Sequence, residues 1–162
     1  MGKVILLCGR ICSGKSFYSA RLKEQECAVI LSTDEATYDL TDNAQGEGYD
    51  AFAARVNDYL LKKSAEIALA GCNVILDRGF WRRSERIDTS EYLRKRNVSF
   101  EWHYLDVDDE TLRRNIEERN EKVLAGEGGC CFYVDEGLAA KVQRLFEVPE
   151  REEMDVWVVN RR

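Results

Sequence analysis

Short apolar runs separated by longer amphipathic segments organise this chain. Val4–Cys8, Ala28–Leu31 and Val74–Leu76 are almost continuous in apolar residues, the pattern of strands buried on both faces of a sheet. With their polar ends these runs predict strands at Val4–Cys8, Ala28–Ser32 and Asn73–Asp77. Phe100–Asp106 alternates aromatic and polar residues and predicts a more exposed fourth strand, and Val156–Asn160 predicts a fifth. Between them, Phe52, Val56, Tyr59, Leu60 and Ile67 recur at helical spacing, with Asp50 as the expected N-cap and Gly71 as the stop. Asp108 is placed to cap a helix carrying Leu112, Ile116 and Val123. Asp135 is placed to cap another carrying Leu138, Val142 and Leu145, closed by Pro149. Two stretches without periodicity, Asp39–Tyr49 and Ala125–Cys131, are expected to be mobile loops.

Strand and helix alternate throughout, which predicts an α/β fold: about five mostly parallel strands with helices on both faces. The length of 162 residues and a hydrophobic fraction of 44% suit one domain over residues 1–162. The formal net charge of −6 argues against a wholly basic surface, so nucleic acid is not the favoured partner, although a local basic cleft is compatible with this charge. The run Val4–Cys8 is far too short to span a bilayer, so neither a signal peptide nor a membrane segment is expected. Six cysteines, none in a Cys-x-x-Cys pair, read as reduced thiols of a cytoplasmic protein. Oligomeric state has no signature in the sequence.

One segment carries chemistry on its face. Gly9-Arg10-Ile11-Cys12-Ser13-Gly14-Lys15-Ser16 has the Walker A spacing, follows the first apolar run directly and opens a helical segment. A match to this spacing arises by chance in on the order of one chain in a hundred, and the strand–loop–helix context makes chance rarer still. Gly9 and Gly14 allow backbone N–H groups to converge on phosphate oxygens at the positive end of the following helix. Lys15 supplies a cation to the β- and γ-phosphates, and the Ser16 hydroxyl supplies a ligand for Mg²⁺. The segment therefore predicts a three-layer P-loop NTPase fold that binds ATP and Mg²⁺.

Acids at two other strand ends extend the candidate site. Asp34 follows the second strand and is the candidate base for an acceptor hydroxyl. The competing reading is a helix cap or Asx-turn in Ser32-Thr33-Asp34-Glu35. Glu35 is a lesser candidate. Asp77 ends the third strand and is a candidate for holding Mg²⁺ or its waters, against the reading of an ordinary turn residue. Arg113, Arg114 and Arg119 precede the glycine-containing loop, and a lid over about residues 113–135 is expected to bring arginine, Arg119 and Arg114 in particular, to the phosphates. Any one of them could equally pair with Glu117, Glu118 or Glu121. A second cluster, Arg78, Arg82, Arg83 and Arg86, either holds an anionic acceptor or coats a helix. His103, the sole histidine, falls within a strand and is given no catalytic role.

These motifs resemble the small P-loop kinases related to the kinase half of polynucleotide kinase, chloramphenicol phosphotransferase and the zeta toxins. The resemblance rests on the Walker A segment, on Ser32-Thr33-Asp34, on Asp77 with Phe80 and Arg83 or Arg86, on Leu112 to Arg119-Asn120, and on Phe146-Glu147-Val148-Pro149. It implies that Asp34 is the acceptor base. Two positions depart from that group: Thr37 stands where polynucleotide kinases carry arginine, and Asn115 stands at the lid's usual first arginine. The expected activity is transfer of the γ-phosphoryl group of ATP to a hydroxyl acceptor of unknown identity, with a small molecule favoured. The alternatives are a nucleoside or nucleotide kinase, for which Asp77-Arg78 speaks, and a nucleotide-dependent switch ATPase without an acceptor.

Overall fold

The computed structural model describes residues 1–41 and 48–161. Of the expected loop Asp39–Tyr49, positions 42–47 lie outside the described residues. Five strands form one sheet, β1 (Lys3–Cys8), β2 (Ala28–Ser32), β3 (Asn73–Asp77), β4 (Ser99–Val107) and β5 (Val156–Asn160), in the order β2-β3-β1-β4-β5. All neighbours pair in parallel. The helices are α1 (Lys15–Glu26), α2 (Thr33–Leu40), α3 (Tyr49–Leu69), α4 (Arg83–Arg94), α5 (Asp109–Leu124) and α6 (Glu136–Leu145).

Period-two geometry in β1 builds both halves of the core. Val4, Leu6 and Cys8 face the side covered by α3 and α4, where they meet Val56, Leu60, Leu76 and Leu93. Ile5 and Leu7 face α1 and pack with Leu22 and Ile75. The three-layer P-loop NTPase-like arrangement is thus the expected one.

Two expectations about exposure reverse. β4 lies inside the sheet between β1 and β5, and Trp102, Tyr104 and Leu105 are buried. Its polar members are tolerated because they have partners: His103 meets the Tyr18 hydroxyl at 2.9 Å, and Glu101 pairs with Lys3 at 3.1 Å. β2, which reads as fully buried, is an edge strand with Val29 exposed.

Side-chain caps begin α2, α5 and α6. Ser32 accepts from the Glu35 amide and begins α2 directly after β2, a helix that hydrophobic periodicity does not reveal. Asp108 accepts from Thr111 and Asp135 from Leu138, each at 2.7 Å, as expected. The start of α3 differs: Gly48, at φ 91°, occupies the N-cap and Asp50 sits in the first turn. All six cysteines are free thiols, and burial pushes Cys8 up to about 11, which leaves it inert as a nucleophile. No helix among the described residues is long and apolar enough to cross a membrane.

Candidate active site

Register fixes what stands beside the phosphate loop. Asp77 pairs in register with Leu7 of β1 and Ser32 of β2. The strand-three carboxylate therefore lies level with the root of the Gly9–Ser16 loop, and Asp34 stands just above it in the first turn of α2. This is the C-terminal edge of a parallel sheet, where open α/β folds place their ligands.

The loop is held from several directions. The Gly9 amide donates to the Gly79 carbonyl at 3.1 Å, and a Cβ on Gly9 would come within 2.7 Å of Ser13 Oγ. Gly14 adopts φ 93°, and a side chain there would strike Asn160 Nδ2 at 2.8 Å. That same Asn160 nitrogen donates to the Ser13 carbonyl at 3.1 Å, so the end of β5 braces the loop. Arg10 donates to the Val107 carbonyl and pairs with Asp109 at 2.6 Å, tying the loop to the start of α5. Cys12 sits at φ 57°. Ser13 Oγ is buried without a hydrogen-bond partner among the described residues, a polar atom left over in a cradle of amides.

Lys15 and Asp77 form the charged centre. Lys15 Nζ donates to the carbonyls of Gly9 at 3.1 Å and Arg10 at 2.6 Å, so it lies across the loop rather than extending into solvent. Burial lowers its pKa, against the opposing pull of the Asp77 and Asp34 carboxylates. Burial raises the pKa of Asp77, against the stabilising charge of Lys15, and the Asp34 charge raises it further. The hydroxyls of Ser19, at 3.3 Å, and Ser16 donate to Asp77. A hydroxyl and a carboxylate side by side at a phosphate loop are hard oxygen donors, which suit Mg²⁺.

Folding raises the pKa of Asp77, so the native state holds that proton more tightly than the unfolded chain does. Its stabilising contribution is present below the ordinary value near 3.8 and is lost as pH rises through the raised one. Asp77→Asn is accordingly expected to raise the unfolding midpoint of the ligand-free protein near neutral pH by a few degrees, on the order of 1 kcal/mol. The same variant should lose the Mg²⁺-dependent part of ATP affinity. Differential scanning calorimetry and a magnesium titration of ATP binding check the two halves, and a variant that melts below the wild type would contradict the first.

The arginines expected at a lid separate clearly. Arg119 donates to the Phe132 carbonyl at 3.0 Å and approaches Cys12 Sγ at 3.6 Å, so its guanidinium bridges the phosphate loop and the returning chain. Asn115 donates to the Cys12 carbonyl at 3.0 Å. One turn apart on α5, Asn115 and Arg119 dock that helix on the loop. Asn120 holds Val134 through two bonds of 2.8 Å and fixes the chain after the helix. Arg113 and Arg114 are exposed on α5 and are not brought to the cavity.

A cavity of about 550 Å³ extends from this centre. Ile11, Lys15, Asp34, Asp77 and Arg119 line its loop end. The rest of the lining includes side chains that the motifs do not single out, chiefly Asn57 and Asp58 of α3, Trp81, Phe132 and Lys141. A sequence signal for part of it exists in Arg78-Gly79-Phe80-Trp81: Phe80 takes φ 47°, and a Cβ on Gly79 would lie 2.1 Å from Trp81 Nε1. Glu35 does not line the cavity, which separates the two acids of Thr33-Asp34-Glu35-Ala36. Arg83 and Arg86 serve the scaffold instead. Arg86 is buried, donates to the Phe80 and Glu147 carbonyls and pairs with Glu153 at 3.0 Å.

Sheet order, loop and cavity together define a P-loop nucleotide-binding protein of kinase-like architecture. The chain belongs to the AAA domain family, whose match spans residues 4–128. Its fold is similar to that of an unliganded sugar kinase from Janibacter sp. HTCC2649, with a TM-score of 0.67 and 14% identity over 98% of this chain and 86% of that one. It is also similar to the APS kinase of Mycobacterium tuberculosis in complex with AMPPNP and APS, with a TM-score of 0.70 and 17% identity over 99% of this chain and 90% of that one. Chaetomium thermophilum Kti12 in complex with ADP-AlF3 gives a TM-score of 0.70 and 14% identity over 97% and 88% of the two chains. No curated protein sequence matches the chain.

Proposed function

We propose that this protein is an ATP-dependent phosphotransferase that moves a γ-phosphoryl group to the hydroxyl of a small acceptor. The observation that carries the reading is a cavity of about 550 Å³ whose lining extends beyond Lys15, Asp77 and Asp34 to side chains of α3, α6 and the Gly79–Arg82 turn. A switch that only hydrolyses nucleotide has no use for such an extension. Similarity to a sugar kinase and an APS kinase supports the class, at identities that carry the fold alone.

In this reading the amides of Gly9 to Ser16 wrap the triphosphate, and Lys15 exchanges its carbonyl contacts for phosphate oxygens. Ser16 and Asp77 would hold Mg²⁺, which would supply charge neutralisation at the phosphates. Asp34 accepts the acceptor's hydroxyl proton as the new O–P bond forms and the bond from the γ-phosphorus to the β,γ-bridging oxygen breaks, releasing ADP. Arg119, already beside Cys12, neutralises charge developing on the transferred group. Free thiols at all six cysteines fit action in the cytoplasm.

The test is ATP consumption measured with and without a panel of hydroxyl compounds, with products weighed by mass spectrometry. Stimulation by a compound that gains one phosphate supports the proposal. Slow hydrolysis indifferent to every addition supports the switch instead. A paired substitution sharpens the assignment of the lid: Arg119→Ala is expected to lower kcat by about 10²-fold, whereas Arg114→Ala stays within about twofold. Equal losses in both would place the active cation elsewhere on α5.

A further inference from the structure

Two consecutive carbonyls of the phosphate loop are held from outside it. Asn115 Nδ2, on α5, donates to the Cys12 carbonyl at 3.0 Å, and Asn160 Nδ2, at the end of β5, donates to the Ser13 carbonyl at 3.1 Å. One amide comes from a helix and the other from the sheet. Both asparagines are half-buried, and neither is part of the cavity lining. α5 is itself tied to the loop at its root, where Arg10 pairs with Asp109 at 2.6 Å.

Peptide geometry carries these bonds to the other side of the loop. In a trans peptide the carbonyl of one residue and the N–H of the next point in opposite directions. Fixing the Cys12 carbonyl toward α5 therefore turns the Ser13 N–H away from α5, and fixing the Ser13 carbonyl toward β5 turns the Gly14 N–H away from β5. The first consequence is visible: the Ser13 amide donates across the loop to the Arg10 carbonyl at 3.2 Å, the same carbonyl that Lys15 Nζ reaches at 2.6 Å. A backbone N–H and the ammonium thus converge on one oxygen, an arrangement of donors suited to an anion.

The same residues carry unusual backbone. Cys12 takes φ 57°, a left-handed conformation that a side chain disfavours, and Gly14 takes φ 93°. Such conformations persist where surrounding groups over-determine them, and the two asparagine bonds act on this turn. Between them, Ser13 is fully buried and its hydroxyl has no hydrogen-bond partner among the described residues, so the segment held in this way still contains an unsatisfied donor.

Resting on the proposed binding of ATP by this loop, we propose that Asn115 and Asn160 are positioning residues for the triphosphate, each holding one loop carbonyl outward so that the Ser13 and Gly14 amides stand ready for phosphate oxygens. Neither side chain is assigned a contact with ATP. Their contribution is preorganisation: a loop whose peptide planes are set in advance loses less freedom when the anion binds. The amides serve ground state and transition state alike, so the loss on substitution falls on KM for ATP rather than on kcat.

Asn115→Leu and Asn160→Leu nearly keep the size of the side chain and remove the donor without adding charge. Calorimetric titration with tripolyphosphate, a probe without a nucleoside, and with ATP and Mg²⁺ reads the effect. Each variant is expected to weaken both ligands by about tenfold and by matching factors, and the double variant by about 10²-fold, as independent hydrogen bonds add. In ¹H–¹⁵N spectra of the ligand-free protein the Ser13 and Gly14 amide signals are expected to move, while those of β2 stay in place. Steady-state ATP consumption gives the split between KM and kcat. Where a leucine variant fails to fold, Asn115→Ala and Asn160→Ala remove the same donors with less bulk. Unaltered tripolyphosphate affinity in folded variants, a loss confined to ATP, or a loss in kcat with KM unchanged would each overturn the inference. Collapse of all four variants would make both asparagines structural residues and overturn it as well. The titrations need no acceptor, so they decide the inference even where no acceptor is found. Wild-type protein that binds neither ligand would overturn the loop reading itself, and the inference with it.

Discussion

Asp34→Asn is expected to slow phosphoryl transfer by about 10²- to 10⁴-fold while leaving ATP affinity within about twofold. The asymmetry follows from placement. Asp34 stands in the first turn of α2, lines the cavity, and is close enough to Lys15 and Asp77 to influence the charge of both, but it belongs to no element of the phosphate loop. Its helix is capped by Ser32, not by Asp34, so the carboxylate is free of the structural duty that the residue type would otherwise suggest. Asparagine keeps the shape and removes the proton-accepting charge. Stopped assays with saturating acceptor give the rate, and nucleotide titration gives the affinity. Unchanged turnover in the variant would move the base elsewhere. Glu35→Gln serves as the control, and because Glu35 does not reach the cavity its expected effect is within about twofold.

Lys15→Ala is expected to damage binding and chemistry together, by about 10³-fold in kcat/KM. The ammonium joins the loop carbonyls of Gly9 and Arg10 to the field of the Asp77 and Asp34 carboxylates. Burial lowers its pKa, which weakens its hold on the proton, yet two carboxylates oppose that shift. Removing it leaves Asp77 and Asp34 facing each other uncompensated. ATP affinity should fall along with turnover, in contrast to the Asp34 variant, and steady-state kinetics with an independent affinity measurement distinguish the two patterns. Circular dichroism verifies that the loop substitution leaves the sheet intact.

The strands and the phosphate loop were legible in the sequence because both are local signals: a run such as Val4–Cys8 followed at once by Gly9–Ser16 needs no distant contact to be recognised. Strand exposure was not local. Whether β4 or β2 lies at the sheet edge depends on the crossover that carries β3 beside β1, and the polar residues of β4 are satisfied by Tyr18 and Lys3, far off in the chain. Helix α2 lacks an apolar stripe of any length and is announced only by its Ser32 cap. Asp34, Asp77 and Arg119 could be nominated one by one from strand and helix ends. Their shared cavity could not, because its far wall is assembled from α3, the Gly79–Arg82 turn, the chain after α5 and α6. Arginines show the same limit: Arg86 and Arg114 look alike in sequence, but one is buried against Glu153 and the other is exposed.

Calorimetric titration of ATP into the protein, run with and without Mg²⁺, tests the central claim most directly. Saturable heat at a Kd on the order of micromolar, tightened by Mg²⁺ and abolished by Lys15→Ala, is the result expected of a loop that wraps its amides around a triphosphate. No heat from ATP under either condition, in protein shown to be folded, would contradict it.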